Sequence, residues 1–147
     1  MGCDDVLLRP QILFTKDAMK KPDWLYWALI VIAALTIFSG FFQMLATGFE
    51  LRLLSAEATP TSIHFFGTIG MFMVCFGCVF FNALISPRHQ PIVIFWGAVQ
   101  KFGASAAVAL GVWHHIFSPL ALLVASFDFV SGILAIAYWL KITKTTP

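Results

Sequence analysis

Apolar residues run along this chain in four long blocks separated by short polar turns. A bilayer core about 30 Å thick is crossed by about 20 predominantly apolar residues in helical form. The blocks reach that length at about 24–48, 62–85, 91–113 and 119–140. Turn chemistry marks their edges. Ser86-Pro87-Arg88-His89-Gln90-Pro91 divides the second block from the third. Pro119 opens the fourth near the first helical turn, where a missing N–H costs nothing. Asp23 stands where it would cap the first helix. Interior glycines do not end these blocks, because in lipid the backbone has no water to turn to. Between the first two blocks, Glu50-Leu51-Arg52-Leu53-Leu54 reads as a continued or interfacial helical turn. The pattern predicts an all-α fold, a four-helix transmembrane bundle over residues 22–141. Residues 1–21 are expected as an N-terminal segment along the membrane surface, and 142–147 as a short tail.

Composition narrows the class. Of the 147 residues, 60% are hydrophobic and 11% are charged. An ordinary soluble domain has roughly 25% charged residues. Disordered tails, collagen-like fibres and disulfide scaffolds are excluded, and too few polar residues remain to clothe a small globule in water. Charge asymmetry then supplies an orientation. Arg9, Lys16, Lys20, Lys21, Arg88, Lys141 and Lys144 fall on one side of the spans, and Arg52 alone on the other. The positive-inside rule places both termini in the cytoplasm. Trp24, Tyr26, Trp27, Tyr138 and Trp139 form an aromatic belt at the inner interface, and Trp113 marks the outer one. Ala56-Glu57-Ala58 imitates a signal-cleavage site, but the preceding block exceeds the 7–15 residues of a signal core. Met19-Lys20-Lys21 offers an alternative start.

Two ionisable residues lie deep in the blocks, Lys101 in the third and Asp128 in the fourth. Each would cost roughly 2.5–3.5 kcal/mol alone at a helix centre. Counted from the outer boundary, Lys101 lies about 18 Å deep and Asp128 about 14 Å, at 1.5 Å per residue. Antiparallel neighbours joined by a short loop would bring them together as an ion pair or its proton-transferred neutral form. Ala121, Ala125, Asp128, Gly132 and Ala135 share one helical face, as do Gly97, Lys101 and Ser105. Gly103, Ala107 and Gly111 form a second small-residue stripe. Small residues let helices approach closely in lipid. The plain reading of the pair is a brace that fixes helix register, and the functional one is a proton or substrate site.

Cys75 and Cys78, three apart on one helix, sit at a similar depth and are the candidate redox pair. A nearby cation favours thiolate, although buried cysteine is more often packing. His64, His114, His115 and Glu57, with Glu50 as a further acid, form a candidate outer-face metal or polar cluster. Helical ligand spacings that favour a metal cage are missing from the sequence, so ordinary interfacial histidines are the better reading and no metal is expected. No histidine lies deep enough to support haem. Thr36, Ser39, Gln43, Thr68, Asn82, Gln100 and Ser131 are the other polar residues within spans, most able to bond backbone carbonyls. Met1-Gly2-Cys3 is followed by Val6, not the Ser or Thr of an acylation start. No phosphate-binding loop, Ser/His/Asp array or nucleic-acid patch is present.

The helix count, Gly67, Gly70 and Gly77 in the second span, the Pro-Arg-His connector followed by Gly97-x-x-x-Lys101, and Phe127-Asp128-Phe129 are similar to small bacterial DoxX-like four-helix membrane proteins. The resemblance covers most of 24–141. It implies a helper subunit in the cytoplasmic membrane and carries no catalytic residues across. The expected function is therefore a non-enzymatic accessory subunit, or a small bundle that holds a lipid or quinone-like molecule. No cofactor is required by the sequence. The expected partners are the bilayer, a larger membrane complex or further copies of the chain. The alternative is a small redox or proton-coupled enzyme or carrier built on Lys101, Asp128, Cys75 and Cys78.

Overall fold

The computed structural model describes residues 23–86 and 90–144, and these are helical apart from short connections. Five helices follow in order: α1 (Trp24–Leu45), α2 (Thr47–Leu53), α3 (Pro60–Ile85), α4 (Pro91–Trp113) and α5 (Ala121–Thr143). The four long ones have 22, 26, 23 and 23 residues. At 1.5 Å per residue each exceeds the roughly 30 Å hydrocarbon core. Their outward faces are greasy: Phe38 is 68% exposed and Leu45 74%. Surface of this kind belongs against lipid, not water. The N-terminal segment 1–21, Arg88 and residues 145–147 lie outside the described residues.

Boundaries differ from the sequence expectation for local reasons. The first span stops at Leu45 instead of 48, because the chain bends at Ala46 and restarts as α2. The Glu50–Leu54 turn is thereby part of a separate short helix, whose Leu51 is buried. α3 starts at Pro60, two residues early, because Thr59 forms a capping box with Ser62. The last helix starts at Ala121, with Pro119 in the turn before it, and runs to Thr143. Asp23 occupies the N-cap position of α1 but makes no side-chain cap bond. Its carboxylate pairs instead with Lys141 at the end of α5, which places both described termini at one end of the bundle.

The bundle is two antiparallel hairpins. α1 packs along α3, and α4 along α5, while the two hairpins touch each other more sparsely. Gly40 and Gly70 cross so closely that a Cβ added to either would stand 2.7 Å from the other's carbonyl oxygen. Gln43 Nε2 donates to Phe66 O at 2.8 Å across the same seam. In the second hairpin the Phe102 ring lies on Gly132. One apolar cluster unites all four long helices: Leu25, Leu29, Ile32 and Ala33 of α1, Leu84 of α3, Ile94 and Ala98 of α4, and Ala135 and Tyr138 of α5. Every member lies in the half of the bundle nearest the termini.

At the far end two helix stops of one design meet. α2 ends with Ser55 at φ 57° and α4 with His115 at φ 56°. Ala56 N–H bonds Leu51 O and Ser55 N–H bonds Arg52 O; Ile116 N–H bonds Gly111 O and His115 N–H bonds Val112 O. These are Schellman pairs. Ser118 N–H then donates to Leu54 O at 2.8 Å, tying the two hairpin turns together.

Two substitutions test this account by thermal unfolding in detergent. His115→Gly should stabilise the fold by about 1 kcal/mol, since glycine adopts the left-handed conformation without a Cβ penalty. Gly40→Leu should destabilise it by about 1–3 kcal/mol or more, because the added atoms meet the α3 backbone.

Candidate functional site

Asp128 sits on the α5 face formed by Ala121, Ala125, Gly132 and Ala135, all buried. Small side chains at these positions let α4 approach, and Lys101 reaches across from it. Lys101 Nζ lies 2.6 Å from Asp128 Oδ1, a charge-assisted hydrogen bond. The two residues are 8% and 6% exposed, so the contact is shielded from its surroundings. The Phe127 ring adds a face 5.6 Å from the ammonium. Asp128 lies seven residues from the start of α5 at Ala121 and Lys101 twelve from the end of α4 at Trp113, the same direction of offset that the sequence predicts, and the flexible lysine stem spans it.

Beside the pair is a cavity of about 20 Å³, lined in part by Thr36, Gln100, Lys101 and Ser131. That is room for about one water. Thr36 Oγ1 donates to Ile32 O at 2.8 Å and Ser131 Oγ to Phe127 O at 2.7 Å. Each hydroxyl oxygen thus keeps lone pairs for another donor. The sequence marked these residues only as polar positions within spans. Their shared cavity depends on packing between α1, α4 and α5, which no local pattern encodes. Phe76, Phe80 and Gly97 close its side.

The other candidate groups stand apart from this centre. Cys75 and Cys78 are free thiols on the outward surface of α3, while Phe76 and Gly77 between them face the cavity. Neither thiol lines the cavity that Lys101 lines. A signal was present: Gly70 and Gly77, seven apart, mark the packed face of α3 and the cysteines lie off it. His64, His114, His115 and Glu57 are all exposed. Among the described residues no three His, Cys, Asp or Glu side chains gather as a metal site. The Glu50 carboxyl, in α2, has its pKa raised from the ordinary value by partial burial. The folded form thus holds that proton more firmly than the unfolded one. Its contribution favours folding below the folded pKa and is lost as pH rises through it. The Gly103-Ala107-Gly111 stripe is no internal seam either. Gly103 has nothing within 4 Å of a notional Cβ, Ala107 is exposed, and Gly111 lies under the Phe117 ring.

The pair can be tested by a double-mutant cycle. Lys101→Met and Asp128→Leu should each cost about 3–5 kcal/mol, because each leaves a buried charge without its partner. The double variant should recover most of that loss. Folded yield from membranes and thermal unfolding are the readouts, and singles as stable as the parent would contradict the brace. Comparison of the chain with protein-family models, with curated proteins and with solved structures returns no match.

Proposed function

We propose that this chain is a non-enzymatic component of the cytoplasmic membrane, an accessory subunit or a small bundle that holds a lipid or quinone-like molecule. The observation that carries the reading is the commitment of Lys101 to Asp128 at 2.6 Å beside space for about one water. Such an arrangement braces two helices and offers no chamber in which a substrate could turn over. Outward faces rich in Phe, Leu and Trp supply contact with lipid and with larger membrane partners. The resemblance to DoxX-like proteins supports the same role.

Both termini face the cytoplasm in this reading. Lys141 and Lys144 lie at the end where α1 begins and α5 finishes, whereas Arg52 lies beyond the opposite end. With the basic N-terminal segment and Arg88 added from the sequence, the asymmetry follows the positive-inside rule.

The orientation is checked by labelling intact cells with a membrane-impermeant maleimide in a Cys3→Ser background. Ser55→Cys should label from outside, and Lys144→Cys only after the membrane is opened; the reverse would invert the topology. Gentle detergent extraction tests the role. A larger protein recovered at a fixed ratio to this chain is expected, and a chain that purifies alone while catalysing a redox turnover would overturn it.

A further inference from the structure

An apolar groove of about 160 Å³ runs between α3 and α4, lined by Phe76, Val79, Phe80, Ile92, Val93, Trp96 and Gly97. Val79, Ile92 and Trp96 are 54%, 63% and 57% exposed, so the groove opens outward to the bilayer. Phe76, Phe80 and Gly97 also line the small cavity beside Lys101. The Phe80 ring lies so close on Gly97 that an added Cβ would be 2.4 Å from it. Phe80 and Gly97 thus belong to a wall that groove and cavity share.

The cavity holds unspent hydrogen-bonding capacity. Lys101 carries three donors, and among the described residues Asp128 Oδ1 is the acceptor it reaches. Gln100 also lines the cavity, and its side-chain amide makes no hydrogen bond among the described residues. Two residues with donors to spare, Lys101 and Gln100, thus line a space of about 20 Å³. That fits a single oxygen atom and excludes a phosphate or a sugar. Asp128 already balances the charge of Lys101, so a neutral acceptor suits the site better than an anion. Depth narrows the class further. Lys101 is ten residues from Pro91, about 15 Å along the helix and near the middle of the bilayer core. Ester carbonyls of phospholipids stay at the interface, far from that level.

We propose that groove and cavity form one site for a neutral carbonyl compound dissolved in the bilayer, its oxygen accepting from Lys101 and Gln100 and its apolar body lying between α3 and α4. Phe80 stands in their shared wall. The proposal rests on the reading of the bundle as a holder of a small membrane molecule, and it names the class, the seat and the side route. Quinones and long-chain ketones share this chemistry.

Infrared spectroscopy on the full chain in lipid nanodiscs tests it. The probes are decyl-benzoquinone and a long-chain methyl ketone, each with ¹³C at the carbonyl. Hydrogen bonding polarises C=O, so at least one probe should show a second carbonyl band below that in protein-free discs. A band with one probe alone supports the site and identifies the source. Val79→Trp, which fills the groove mouth from its exposed side, should lower occupancy about tenfold. Gln100→Leu should move the bound band back toward the free frequency, a change that mere loss of folding would not produce. Absence of a shifted band with both probes overturns the proposal, as does a band unchanged in both variants. Partner recovery from the same preparations separates the two levels. A fixed-ratio partner without a shifted band removes this site and leaves the accessory role standing.

Discussion

A charge in hydrocarbon must meet its opposite, and much of this molecule is arranged around that demand. The Lys101–Asp128 contact requires α4 and α5 to lie close, in one register, at one depth. Alanine and glycine occupy the α5 positions on either side of Asp128, where larger side chains would push the helices apart. The hydrophobic effect does not draw helices together in lipid, because acyl chains are as apolar as leucine. Close packing and the polar contact are left to supply that force. The pair fixes how far along each other the two helices slide, and packing fixes how tightly they lie.

The same economy of small residues recurs elsewhere with aromatic partners. Phe80 rests on Gly97, Phe117 on Gly111 and Phe102 on Gly132. In each case a flat ring takes the space that a side chain would fill. These contacts join α3 to α4, the last turn to α4, and α4 to α5. Hydroxyl groups on the helices meet the lack of water differently. Thr36, Thr47, Ser131 and Thr143 each donate to the carbonyl four residues earlier, so they need no neighbour to become satisfied.

Much of this was legible in the sequence because the bilayer imposes a length and a polarity that few other environments impose. The third span begins and ends where its prolines and tryptophan suggested, at Pro91 and Trp113. The depth count that brought Lys101 toward Asp128 needs only helical rise and a short connecting turn. Other features depend on which neighbour a helix face meets. Cys75 and Cys78 fall within α3 as the sequence suggested, but which way they face follows from the rotation of α3 at its Gly40–Gly70 crossing with α1. Gly103 and Ala107 look like a packing seam in isolation, yet α4 turns Gly97 and Lys101 inward instead. The Thr59 cap uses Ser62 at the third helical position, where Glu or Gln is the familiar signature, so its early start is hard to read. The groove has no local signal at all, since Phe80 and Gly97 belong to different spans.

The placement of the ion pair within a single hairpin has a consequence for biogenesis. Lys101 and Asp128 are 27 residues apart, on α4 and α5, two helices made one after the other. Their charges can be joined as that hairpin leaves the translocation machinery, before it finds the first hairpin. The later hairpin then enters the bilayer with its buried charges already balanced, and its meeting with the first adds apolar contact, the Asp23–Lys141 pair and the Ser118–Leu54 hydrogen bond.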